Sequence, residues 1–240
     1  MTESQVFPNT FPAGVLVDGL EPGQAAVVIA RAGVGKSSVL IQAALACLIR
    51  GGEVLHVSAG QTVQHVKRAY DDMLYVIHER FFKSICFDSM CMCVERGRHI
   101  HCCKNRVFSA EKLERTISFL PEEFTPSAVM VDGMDLKRMG GEALVELQKL
   151  AQKKGFFLWF SALSHRTDPE PPNGCLPVPL DETEKFWDSV FALKPVARRT
   201  VLDCLKKGVR LFPCFGDPGS EKKQAGLFLD PVTNMIVSDG

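Results

Sequence analysis

Short apolar runs alternate along the chain with segments whose apolar residues recur at helical spacing. Runs rich in β-branched or aromatic residues span 25–30, 53–59, 127–133 and 156–163. Their length and continuous apolar character predict strands that are buried on both faces, as in a parallel sheet.

Helical periodicity fills the chain between these runs. It predicts helices over 36–50, 62–81, 109–120 and 140–155. Gly51 and Gly52 are expected to end the first of these helices. Alternating strands and helices predict an α/β fold with a mostly parallel central sheet flanked by helices.

The pattern changes after the fourth strand. Residues 165–182 are rich in proline and acidic residues and predict a long loop. Apolar stretches within 185–195, 198–212 and 225–237 then predict strands that extend the sheet in antiparallel fashion. We expect residues 1–240 to form a single domain, since this length suits one large core.

Composition disfavours two classes of partner. The 28 basic and 28 acidic residues cancel, so there is no overall field to attract nucleic acid or an anionic membrane. The compact basic segments 98–106 and 194–199 contain no interleaved aromatic residues, which disfavours direct nucleic-acid binding.

The hydropathy of the chain also bears on its compartment. No apolar run approaches the roughly 20 residues of a membrane helix, and the first residues do not resemble a secretory signal. We therefore expect a cytoplasmic protein without membrane contact, whose nine cysteines are reduced.

Candidate chemistry begins with the sequence ARAGVGKS at 30–37, between the first strand and the first helix. Gly33 and Gly35 allow the backbone to curl with its N–H groups toward phosphate oxygens. Lys36 is spaced to reach the β- and γ-phosphates, and the Ser37 hydroxyl is spaced to ligate Mg²⁺. The predicted nucleotide-binding residues are Ala30, Arg31, Ala32, Gly33, Val34, Gly35, Lys36, Ser37 and Ser38.

A second motif, AVMVDGMD at 128–135, places Asp132 at the end of a buried strand. A carboxylate there is expected to hold Mg²⁺ through water, opposite Ser37. Asp135 is interpreted as a solvated turn residue.

Together these motifs resemble the RecA-like branch of phosphate-loop ATPases, nearest to the KaiC, RadA and replicative-helicase group, over roughly residues 10–238. The resemblance implies binding of ATP and Mg²⁺ and a strand and loop between the second helix and the Asp132 motif. It also implies assembly into rings or filaments. Residues matching the γ-phosphate sensor and the intersubunit basic hairpin of that group are Ser161, Ser164, His165, Lys206, Lys207 and Arg210.

One departure from that group concerns catalysis. Its members carry a glutamate after the second strand, where this chain has Gly60 and Gln61. Gln61 can orient water but cannot accept a proton as a carboxylate does. The predicted catalytic residues are therefore Lys36, Asp132 and Gln61. Two functions stay open: an ATPase with slow or partner-dependent hydrolysis, and a nucleotide-gated protein that acts on an unknown protein partner.

Cysteine and histidine are concentrated in 86–103. Zinc bound by some of Cys91, Cys93, His99, His101 and Cys102 is one interpretation. The spacing lacks paired C-x₂-C knuckles, which favours the alternative that 85–94 is a buried strand whose cysteines act as small apolar residues.

Overall fold

The computed structural model describes residues 12–172, 175–197, 199–206 and 227–238. Within these residues, nine strands form one sheet: β1 Ala25–Ala30, β2 Val54–Ala59, β3 Arg98–Cys103, β4 Ala128–Asp132, β5 Phe157–Leu163, β6 Ser189–Val196, β7 Arg199–Lys206, β8 Leu227–Leu229 and β9 Ile236–Ser238. The α-helices of these residues are α1 Lys36–Ile49, α2 Val63–Phe81, α3 Phe87–Gly97, α4 Ala110–Ser118 and α5 Leu136–Lys154.

The sheet has the order β3-β2-β4-β5-β1-β6-β7-β8-β9. Neighbouring strands are parallel from β3 to β6 and antiparallel from β6 to β9. The predicted α/β class, with a mostly parallel sheet and an antiparallel C-terminal extension, is therefore confirmed.

Helices cover both faces of this sheet and produce two apolar cores. α1, α2 and α3 pack on one face, whereas α4, α5 and a 3₁₀ turn at Asp181–Phe186 pack on the other. All six residues of β1 are buried. A central parallel strand has no solvent face, which is why its sequence is continuously apolar.

Most predicted boundaries hold to within a few residues, and the exceptions have local causes. α5 begins at Leu136 rather than at 140, because the Asp135 carboxylate accepts a hydrogen bond from the Arg138 N–H at 3.2 Å and caps an extra turn. Gly140, with φ of 71°, interrupts the helix after that turn. Asp135 is thus a helix cap rather than a simple turn residue.

The prediction of a buried strand over 85–94 is wrong, since α3 occupies this segment. Phe87, Met90, Cys91 and Val94 pack against the core that contains α1. They stand at positions i, i+3, i+4 and i+7, so they share one face of a helix, whereas a strand would divide them between its two faces. The strand implied between the second helix and Asp132 is instead β3.

The predicted loop at 165–182 is confirmed for the described residues up to 180, which form neither helix nor strand. Its last two residues, 181 and 182, instead begin the 3₁₀ turn Asp181–Phe186. Of the basic hairpin residues, Lys206 donates a hydrogen bond to the Glu184 carbonyl at 2.7 Å. Lys207 and Arg210 lie outside the described residues, as do residues 1–11 of the expected domain.

A buried glutamine on α1 joins the first and last parts of the fold. Gln42 Nε2 donates to the carbonyl oxygens of Ser38 at 3.1 Å and Asn234 at 3.0 Å. Its Oε1 accepts from the Ile236 N–H at 2.7 Å. Gln42 is fully buried, so its amide replaces water for the backbone at the start of β9.

We expect Gln42→Ala to lower the free energy of unfolding by roughly 2–3 kcal/mol, because it leaves the Ile236 N–H and the Asn234 carbonyl without their partner. Gln64→Ala is the matched control, since Gln64 is exposed on α2. Urea unfolding of both variants measures the difference, and equal stability would show that the Gln42 amide contributes nothing.

Candidate active site

The loop between β1 and α1 is shaped by two glycines with positive φ. Gly33 has φ of 76°, and Gly35, directly before α1, has φ of 108°. Gly35 has no side chain with which to cap α1, and the first turn of α1 carries no acidic residue. The N–H groups at the start of this helix are therefore positioned for an anion.

Lys36 curls back over the same loop. Its Nζ donates to the carbonyl oxygens of Ala30 at 3.0 Å and Arg31 at 2.8 Å. Partial burial lowers the pKa of Lys36 below its usual value, while attraction from the Asp132 carboxylate opposes that shift. The Lys36 ammonium therefore lies against the predicted phosphate-binding loop.

Asp132 occupies the centre of the site, with 4% of its surface exposed. Its Oδ2 accepts a hydrogen bond from Ser37 Oγ at 2.7 Å, and its Oδ1 accepts one from Ser161 Oγ at 2.5 Å. Ser161 Oγ in turn accepts from the Gly133 N–H at 3.0 Å. The end of β4 is therefore joined to α1 on one side and to β5 on the other.

These groups line a cleft of about 730 Å³ at the carboxyl ends of the parallel strands. Ligands of open α/β sheets bind at this edge. Of the predicted residues, Ala32, Lys36, Ser37, Gln61 and Asp132 line the cleft.

The remaining predicted residues support the cleft or lie beside it. Ala30 and Arg31 hold Lys36 through their carbonyls, and Ser38 accepts from Gln42. Gly33, Val34 and Gly35 complete the loop. Of the sensor candidates, Ser161 and His165 line the cleft, whereas the Ser164 N–H donates to the Ala30 carbonyl at 3.1 Å.

Two cations of the cleft were not predicted from the sequence. Arg106, in the segment after β3, and Lys137, in the first turn of α5, both line it. The Arg106 carbonyl accepts from the Asp135 N–H at 2.8 Å, which fixes that segment beside the end of β4. Recognition of 98–103 as a parallel strand would have indicated Arg106, since such strands end at one edge of the sheet.

The Cys–His segment does not form a cluster. Cys91 and Cys93 lie on α3, while His99 and His101 lie on one face of β3 and Cys102 on the other. The Cys93 thiol contacts the Leu48 carbonyl at 3.4 Å. Within the described ranges, no three residues of the metal-ligating types lie close enough together to hold an ion.

β2 carries two buried polar residues, His56 and Ser58. His56 Nδ1 lies 2.9 Å from the Tyr70 hydroxyl, and the Arg98 guanidinium lies 4.8 Å from the centre of the Tyr70 ring. His56 Nε2 and Ser58 Oγ have no hydrogen-bond partner among the residues described. Burial lowers the pKa of His56 to about 4, against the attraction of the Asp132 carboxylate.

Comparison with known proteins adds no assignment: the chain matches none of the protein-family models and none of the curated proteins. None of the helices in the described part of the chain is both long enough and apolar enough to cross a membrane.

We expect Gly35→Ala to lower the free energy of unfolding by roughly 2–3 kcal/mol, because alanine is strained at this φ and its Cβ would lie 2.7 Å from Leu229 Cδ1. Gly33→Ala is the matched control. Its φ is also positive, but no described atom lies within 4 Å of the added Cβ, so we expect a loss of about 1 kcal/mol. Chemical denaturation measures both; equal losses would contradict the predicted contact with Leu229.

A second prediction concerns pH. Because the pKa of His56 is about 4 in the folded protein and near 6.5 when unfolded, the unfolded chain binds more protons between these values. Stability should therefore fall as the pH is lowered from about 6.5 to about 4, by on the order of 2–3 kcal/mol from this group.

His56→Gln should reduce this pH dependence, whereas His65→Gln, at an exposed position on α2, should leave it unchanged. Urea unfolding at several pH values compares the slopes of the three proteins. Identical slopes for the wild type and His56→Gln would exclude His56 as the titrating group.

Proposed function

We propose that this protein is an ATP-binding, magnesium-dependent ATPase of the RecA-like class, nearest to the KaiC, RadA and replicative-helicase group, with slow or partner-dependent hydrolysis. The observation that carries the proposal is the 2.7 Å hydrogen bond between Ser37 and Asp132. It joins a hydroxyl at the start of α1 to a carboxylate at the end of β4. The motifs at 30–37 and 128–135 predict that these two groups hold the same Mg²⁺ ion.

The residues present fit the proposed ligands. The uncapped start of α1 and the loop before it offer N–H groups to phosphates, and Lys36 lies within reach of the same space. Ser37 and Asp132 offer oxygen atoms, which Mg²⁺ prefers as ligands, directly or through water. When bound, Mg²⁺ would supply charge neutralisation at the terminal phosphates.

The side chains that line the cleft next to β2 bear on the rate of hydrolysis. Of the described residues that line the cleft, Asp132, Asp135 and Asp168 carry a carboxylate. Each already accepts a hydrogen bond, from Ser37 and Ser161, from the Arg138 N–H and from the His165 N–H respectively. Gln61 lines the cleft and can orient water, but it is not a proton acceptor.

The lack of a carboxylate at Gly60 and Gln61, directly after β2, suggests that turnover depends on a second molecule. A neighbouring subunit in a ring or filament, or another protein partner, would then complete the site. The zero net charge of the chain gives no support to nucleic acid as that partner.

The second candidate function, a nucleotide-gated interaction protein, is favoured by the loop at 165–182. His165, Asp168, Val178 and Pro179 of this loop line the cleft, so a nucleotide bound there would touch it. ATP would then set the position of the loop, and hydrolysis would be incidental to signalling.

The test is magnesium-dependent binding of ATP. We expect millimolar ATP with Mg²⁺ to raise the melting temperature of the wild type, and Lys36→Ala to weaken binding at least 10-fold through loss of a charge-assisted phosphate contact. Ser37→Ala should reduce the magnesium dependence of binding. Lys154→Ala, at an exposed position on α5, is the control for loss of a lysine.

Two outcomes decide between the proposals. Phosphate release that disappears in Lys36→Ala would support the ATPase, whereas binding without release would favour the nucleotide-gated protein. Calorimetry in which wild type and Lys36→Ala respond alike to ATP would refute both.

A further inference from the structure

A second cavity, of about 590 Å³, lies on the α4 side of the sheet at its β3 edge. Its floor is apolar: Leu55 of β2 is fully buried there, and Phe108 is 2% exposed. His99 and His101 of β3 face the same space, and α4 forms the opposite wall. A concave apolar site of this volume is of the size that holds small organic ligands.

The rim of this cavity carries one sign of charge. Lys104, Lys112 and Arg115 line it, and none of the described lining residues is acidic. The chain as a whole has equal numbers of acidic and basic residues, so this imbalance is local. An anionic group at the rim would gain attraction from these cations, and no lining carboxylate would oppose it.

The rim side chains leave room for such a group. Lys112 Nζ makes a long contact, 3.4 Å, to the Val107 carbonyl, and the Arg115 guanidinium lies 5.9 Å from the centre of the Phe119 ring. Phe119 itself is 77% exposed, a large apolar surface beside the cations. An apolar ligand body would cover this ring, which water otherwise contacts unfavourably.

The second cavity is separate from the cleft that holds Asp132. The segment 104–108 divides them, with Arg106 lining the cleft while Lys104 and Phe108 line the second cavity. Each has its own cations and its own floor, so occupation of one can be tested without the other.

We propose that the second cavity binds an amphipathic organic anion, an apolar or aromatic molecule that carries a carboxylate or sulfonate. The apolar body lies against Leu55, Phe108 and Phe119, and the anion lies among Lys104, Lys112 and Arg115. This inference does not depend on the proposed nucleotide site.

Anilinonaphthalene sulfonate is a suitable probe, because it combines an aromatic body with a sulfonate and fluoresces in apolar surroundings. Titrated into the native full-length protein, it should bind saturably with one molecule per chain. Dodecanoate should displace it, whereas dodecanol at the same concentration should displace it less, because dodecanol lacks the charge.

Variants locate the bound probe. The double variant Lys112→Gln/Arg115→Gln changes two exposed side chains and should weaken binding about 5- to 10-fold, since two solvent-accessible charge contacts are lost. Thr116→Phe fills the cavity from α4 and should abolish binding. Lys149→Gln/Lys154→Gln removes the same charge from exposed positions on α5, where Lys149 pairs only with Glu146 of the same helix in the described part of the chain, and should leave affinity unchanged.

The proposal fails if the native protein does not bind the probe, or if binding does not saturate. It also fails if both rim and cavity-filling variants bind as the wild type does. Lys36→Ala should bind the probe normally; loss of the probe in that variant would place it in the cleft and overturn the assignment. The rim variant keeps the test decisive even if Thr116→Phe fails to fold.

Discussion

The Asp132 carboxylate holds three elements in register at the edge of the sheet. It accepts from Ser37 at the start of α1 and from Ser161 on β5, and it extends from β4. Because it is almost fully buried, leaving it without these donors would cost more than the hydrogen bonds themselves contribute. The position of α1 relative to the strands, and hence the shape of the loop before it, depends on this arrangement.

The layers of the fold were predictable because each central strand is short, apolar and followed by a helical pattern. The proximity of Lys36, Ser37 and Asp132 was predictable for the same reason. Residues that follow parallel strands lie at the same edge of the sheet. The strand prediction for 85–94 is wrong because the five cysteine and methionine residues of this segment suggest a buried strand, whereas the spacing of Phe87, Met90 and Val94 favours a helix.

Other features depend on packing that no local pattern records. Arg106 reaches the cleft because β3 pairs with β2 and its following segment bonds to Asp135. The second cavity exists because α4, with nine residues, covers only part of the sheet at its β3 edge. Both follow from the order of strands, which sequence periodicity does not specify.

The hydrogen bonds of the Gln42 amide bear on the order in which parts of the chain can fold during synthesis. Its partner, the Ile236 N–H, is 194 residues away, and Leu229 packs beside Gly35 from the same distant hairpin. During synthesis, α1 emerges long before either partner exists, so its buried amide faces solvent or the wrong neighbours until then. Contacts of such long range lower the rate of folding, because the entropy of closing the intervening chain is lost before they are made. The backbone partners of the Gln42 amide and the apolar neighbour of Gly35 are therefore in place only once β8 and β9 have docked.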